Sequence, residues 1–70
     1  NEHLWRDALP GDLLFWGGDD WAVHHVALYL GKIEGKDYMV ESPQSGDVVK
    51  VSIVRTGGDF NESVNRPWDR

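Results

Sequence analysis

The stretch His24-His25-Val26-Ala27-Leu28-Tyr29-Leu30-Gly31, taken with Glu41 further along, decides the fold. Strand side chains alternate, so an extended reading puts His25, Ala27 and Tyr29 on one face. His24, Val26, Leu28 and Leu30 share the other, which is mostly apolar and is expected to lie against a core. The first face sets an imidazole beside a small residue and leaves room for something to approach it. A second extended run, Tyr38-Met39-Val40-Glu41-Ser42, places Met39 and Glu41 together, with Tyr38 and Val40 opposite. If the two runs pair, a carboxylate can stand near the His25 ring, where it would fix the tautomer and stabilise the imidazolium.

That pairing carries a condition. A two-residue turn at Glu34-Gly35 sets Glu41 opposite Leu28, on the face away from His25. A loop of three or five residues, or a bulge, is required to bring Glu41 round. Gly31 to Asp37 is long enough for any of these.

Composition narrows the class. Seventy residues make one small domain at most, and a chain of that size buries only about 60% of its unfolded surface. With no cysteine there is neither a disulfide staple nor a thiolate zinc site. Four Trp, two Tyr and two Phe supply the apolar area that a 40% hydrophobic content would otherwise leave short. The net charge of −5 and the scattered seven Lys and Arg argue against nucleic acid as a partner. No apolar run is long enough to span a membrane.

Along the chain, Leu4, Trp5, Ala8 and Leu9 fit one face of a short N-terminal helix or turn. Pro10-Gly11-Asp12 is a turn, and Leu13-Leu14-Phe15-Trp16 reads as a short buried strand. A loop through Gly17-Gly18-Asp19-Asp20-Trp21 leads to the histidine strand. Pro43 to Asp47 is a second loop. Val49, Val51 and Ile53 alternate with Lys50 and Ser52 in the clearest strand, over residues 48–54. Phe60 to Arg70 reads as a polar tail with anchors at Phe60, Val64 and Trp68. Four short strands separated by turn signals predict a small antiparallel sheet.

Three blocks then carry a resemblance. Leu9-Pro10-Gly11-Asp12-Leu13-Leu14-Phe15-Trp16, His25-Val26-Ala27-Leu28-Tyr29-Leu30-Gly31 and Met39 to Val49 resemble, in order and spacing, an NlpC-type (NlpC/p-sixty) cell-wall cysteine peptidase domain. Arg66-Pro67 is similar to its closing segment. Residues 1–70 match the C-terminal portion of a single domain of that type. The resemblance implies an α+β, papain-like fold, here mainly its small antiparallel sheet, with the Cys-bearing helical part absent from this chain. It implies a bacterial, secreted or periplasmic, cell-wall-associated peptidoglycan hydrolase that cuts stem peptides between D-glutamate and a diamino acid. By position His25 is the base and Glu41 its orienter; Asp12 is structural; no cofactor or metal is implied.

The nucleophile would come from a second chain or a missing segment, so the 70 residues alone are expected to be inactive. The face bearing His24, Val26, Leu28, Tyr38 and Val40 should then be covered by another chain or expose an apolar patch. Trp21, in the loop entering the histidine strand, is the candidate substrate-binding residue. Lys32, Lys36 and Lys50 are candidates for contacting substrate carboxylates. His24 and His25 point to opposite faces and make a poor zinc pair. Two rivals stand beside the peptidase: a non-catalytic derivative that binds peptidoglycan or a partner, and a related acyltransferase or amidase.

Overall fold

A computed structural model describes residues 1–17, 23–42 and 48–69. They form one six-stranded antiparallel sheet in the order β1-β6-β2-β3-β4-β5. The strands are β1 (Glu2–Leu4), β2 (Leu13–Trp16), β3 (His25–Ile33), β4 (Lys36–Glu41), β5 (Lys50–Ile53) and β6 (Ser63–Asn65), with a 3₁₀ turn at Trp5–Asp7 between β1 and β2. There is no α-helix among the described residues. The four expected strands are present, and two more flank them at one side.

The β3–β4 hairpin turns at Glu34-Gly35, whose φ values of 51° and 81° match the right-handed strand twist. Pairing runs Ile33↔Lys36, Lys32↔Asp37, Gly31↔Tyr38, then slips by one residue to Tyr29↔Met39, Leu28↔Val40 and Ala27↔Glu41. The extra residue is Leu30, next to Gly31, which has a φ of 120° that suits glycine alone. The bulge thus meets the condition that the alternation imposed. Glu41 lies opposite Ala27, diagonal to His25 and on the same face.

The core lies on the His25 face, which corrects the sequence-based expectation. Ala27 and Tyr29 are buried, while Val26, Leu28 and Leu30 are 44%, 39% and 38% exposed. Counting aliphatic residues on β3 alone favoured the wrong side. The neighbouring strands decide it, because Leu14 and Trp16 pair with Ala27 and His25, and Met39 pairs with Tyr29. Trp5 then packs edge-on against Tyr29 and Phe60, with centroids 5.3 and 5.2 Å away, and Trp16 lies 5.2 Å from Phe60. This aromatic layer covers one face only. On the other, Val26 and Leu28 are exposed and Tyr38 and Val40 half-buried, so the expected apolar patch is present. Val51 and Ile53, paired with Val40 and Tyr38, extend it.

The ends of the chain also differ from their sequence reading. Glu2–Leu4 is a strand, the expected short helix or turn is confined to the 3₁₀ turn at Trp5–Asp7, and Trp5 and Ala8 pack against the core while Leu4 and Leu9 stay exposed. The C-terminal segment is not a loose tail: Ser63–Asn65 pairs with both β1 and β2, and Phe60 and Val64 are buried. Arg66 clamps Asp12 from there. Its Nε and Nη2 donate to Oδ1 and Oδ2 at 2.9 Å each, and the Leu9 amide donates to Oδ2 at 2.8 Å. Burial pushes the Asp12 carboxyl up, but Arg66 and the Leu9 amide outweigh it and leave its pKa below the ordinary value. Asp12 is structural, and it fixes the turn from which β2 enters the sheet.

Candidate active site

β3 and β4 bring His25 and Glu41 together from positions sixteen residues apart. The His25 Nε2 lies 2.8 Å from Glu41 Oε1, with the histidine side chain 16% exposed and the carboxylate fully buried. An ionised carboxylate only accepts, so Nε2 carries the hydrogen and Nδ1 keeps the lone pair. The diagonal pairing across the bulge therefore selects the tautomer. Trp16, directly across from His25 on β2, packs its ring 5.0 Å from the imidazole and limits ring rotation.

Glu41 has a second partner that the sequence did not single out. Arg55 Nη1 donates to Oε2 at 2.9 Å and Nη2 to Oε1 at 2.6 Å, a two-pronged fork. The Arg55 fork, helped by the Ser52 hydroxyl and His25, overcomes the cost of burial and holds the Glu41 carboxyl near 2, against an ordinary 4.5. No periodic signal could have found Arg55. It lies two residues past Ile53, the last residue of β5, where strand alternation no longer dictates which way a side chain turns. Trp16 anchors it too: the indole Nε1–H donates to the Arg55 carbonyl at 2.8 Å, and the guanidinium carbon sits 5.9 Å from the ring centroid.

Trp16, His25 and Arg55, with His24, Gly57 and Asp59, line an open cleft of about 400 Å³. His24 lies just ahead of β3 and lines the same cleft, contrary to the opposite-face expectation; its Nε2 bonds the exposed Asp59 carboxylate. That bond lowers the Asp59 pKa. A second cleft, of about 270 Å³, is lined by Trp5, Tyr29, Lys32 and Asp37 among others. There Tyr29 donates to Asp37 at 2.6 Å, and burial together with that carboxylate raises the phenol's pKa. Lys32 also reaches Asp37, at 3.4 Å. Trp21, the candidate substrate contact, lies outside the described residues, as do Asp19 and Asp20. Among the described residues no cluster of three His, Asp or Glu could hold a metal ion.

The arrangement is an imidazole whose tautomer is fixed by a buried carboxylate, set at an open cleft, in a chain without cysteine. Comparison with known proteins agrees with the blocks quoted from the sequence. The model of the NlpC/P60 family matches residues 2–65. Peptidoglycan endopeptidase RipA of Mycolicibacterium smegmatis is 48% identical over 48 residues, which make up 69% of this chain and 8% of that protein. The chain thus spans less than a tenth of this curated relative. No solved structure matches the chain. A family match running over almost the whole chain, with its blocks placed around the His25–Glu41 pair, means that this protein belongs to the NlpC/P60 family.

Proposed function

We propose that the chain forms the histidine-bearing part of a peptidoglycan hydrolase, a cysteine endopeptidase acting on cell-wall stem peptides outside the cytoplasm. The observation that carries this reading is the His25–Glu41 hydrogen bond of 2.8 Å in an open cleft. Glu41 holds Nε2–H, and Nδ1 is left to take the proton of a thiol. The resulting thiolate would attack the scissile carbonyl, and the imidazolium at Nδ1 would return its proton to the departing amine. Water, deprotonated by the same nitrogen, would then release the acyl group. The carboxylate stays ionised throughout; its part is to hold the ring and stabilise the imidazolium.

The chain contains no cysteine, so the thiol comes from outside it: from a second chain or from a segment that also brings the helices of an α+β, papain-like domain. The bond we assign is that between D-glutamate and the diamino acid. Trp21 is retained as the proposed substrate contact. Cysteine-free composition favours one further reading, a derivative that binds peptidoglycan or a partner without cutting.

Native mass spectrometry of the purified protein, followed by hydrolysis of an L-Ala-γ-D-Glu-diaminopimelate peptide, separates the two readings. A cysteine-bearing companion and a turnover that falls about 10²–10⁴-fold in His25→Ala support the peptidase. A lone 70-residue species that sediments with peptidoglycan and never cleaves the peptide refutes it in favour of the binding derivative.

A further inference from the structure

Glu41, buried behind the cleft residues His25 and Arg55, is the most demanding group of the site. It is a carboxylate with a fully buried side chain, placed where a naked charge would be costly and free to rotate its two oxygens. Three elements supply what faces it. His25 approaches from β3, the Ser52 hydroxyl from β5, and Arg55 from the residues that follow β5, while Lys50 stands opposite in the β4–β5 register. His24 and Asp59 line the same cleft but bond each other rather than Glu41.

Arg55 engages both oxygens at once. Its side chain is 57% exposed, so the fork reaches in from the cleft mouth instead of filling the core. An arginine needed only for packing would not require this geometry. The fork leaves one carboxylate conformation, in which Oε1 receives both Nη2 of Arg55 and Nε2 of His25. It also offsets the cost of burying the charge, so Glu41 stays ionised as the acceptor that the imidazole meets. Trp16 ties the parts together, since it holds the Arg55 carbonyl and packs against the His25 ring.

We propose that Arg55 is a positioning residue of the site: its guanidinium fork locks Glu41 in the one rotamer that presents Oε1 to His25 Nε2 and so sets the tautomer that faces the nucleophile. The inference rests on the reading of His25 and Glu41 as base and orienter, yet its test needs no turnover. Lysine cannot replace the fork, because an ammonium is a point charge that satisfies one oxygen at a time.

The test is carbon-13 NMR titration of the Glu41 side-chain carboxyl in the whole chain, together with nitrogen-15 spectra of the His25 ring. In the wild type Glu41 should titrate near 2. In Arg55→Met the midpoint should climb toward the ordinary 4.5, and the His25 ring should lose its single Nε2–H tautomer at neutral pH. Arg55→Lys should fall between the two on titration while still mixing tautomers. A wild-type midpoint in the ordinary glutamate range overturns the proposal without any variant, which keeps the test decisive if Arg55→Met fails to fold. So does a folded Arg55→Met protein in which the Glu41 midpoint and the His25 tautomer are unchanged. Failure to cleave peptide bears on the proposed function and leaves these readouts untouched.

Discussion

Replacing Glu41 by Gln should cost stability in a way that depends on pH, and the dependence can be worked out from the site. The carboxyl is held near 2 against an ordinary 4.5. At 1.36 kcal/mol per unit, that difference corresponds to about 3 kcal/mol. Arg55, the largest contributor, is 57% exposed, and solvent screening brings the expectation down to about 2 kcal/mol. A depressed folded-state value means that the contribution is complete above pH 4.5 and lost as pH falls from there through about 2. Gln keeps the shape and one acceptor but has no charge to lose. Urea unfolding of both proteins from pH 7 to pH 2 should therefore show a gap of about 2 kcal/mol above pH 5 that closes toward a small residual near pH 2. Asp12, Asp59 and Asp69 also have lowered pKa values, but they occur in both proteins and cancel in the difference. A gap that stays constant between pH 6 and pH 2 would refute the claim that Glu41 is ionised and paired in the fold.

Three further comparisons, made with five substitutions, probe the frame around the site. Met39→Ala should cost about 2–5 kcal/mol in chemical denaturation, whereas Val51→Thr on the exposed face should stay within about 0.5 kcal/mol; equal costs would mean that the core face is misassigned. Asp12→Asn should lower the melting temperature well beyond Asp59→Asn, because Asp12 is buried under the Arg66 fork while the His24–Asp59 pair is exposed. Gly31→Ala should cost about 1–3 kcal/mol, since φ is 120° there and the added methyl would sit 3.2 Å from Pro10 Cγ; an unchanged melting curve would argue against that backbone.

Much of the sheet was legible in the residues. Alternation at 48–54 and the apolar run at 13–16 marked two strands, and β3 and β4 were read as extended runs whose side chains alternate around His25 and Glu41. What the sequence concealed has a common physical cause. The core side of β3 is set by neighbours rather than by its own pattern, so Ala27 and Tyr29 are inside although Val26 and Leu28 look more apolar. Ser63–Asn65 is too short and polar to declare itself as a strand, and it is held by pairing with β1 and β2. Arg55 and Arg66 act from irregular backbone, where no period predicts a side chain's direction.

The site itself depends on a single inserted residue. With the turn at Glu34-Gly35, uninterrupted pairing would set Glu41 opposite Leu28 and turn its carboxylate toward the exposed face. The slip between Tyr29 and Gly31 moves it opposite Ala27 instead, and everything nearer the cleft follows. Glu41 reaches His25, the ring tautomer is chosen, and Arg55 finds both carboxylate oxygens. Composition and motif spacing are the same in the two registers, so residue identity alone would leave the pair unassembled. The choice lies in a backbone irregularity next to Gly31, where the missing side chain makes a φ of 120° accessible. A bulge outside the residues that line the cleft is thus as much a part of the site as the imidazole it serves, and a change there should disturb the His25–Glu41 contact without touching a residue of the cleft.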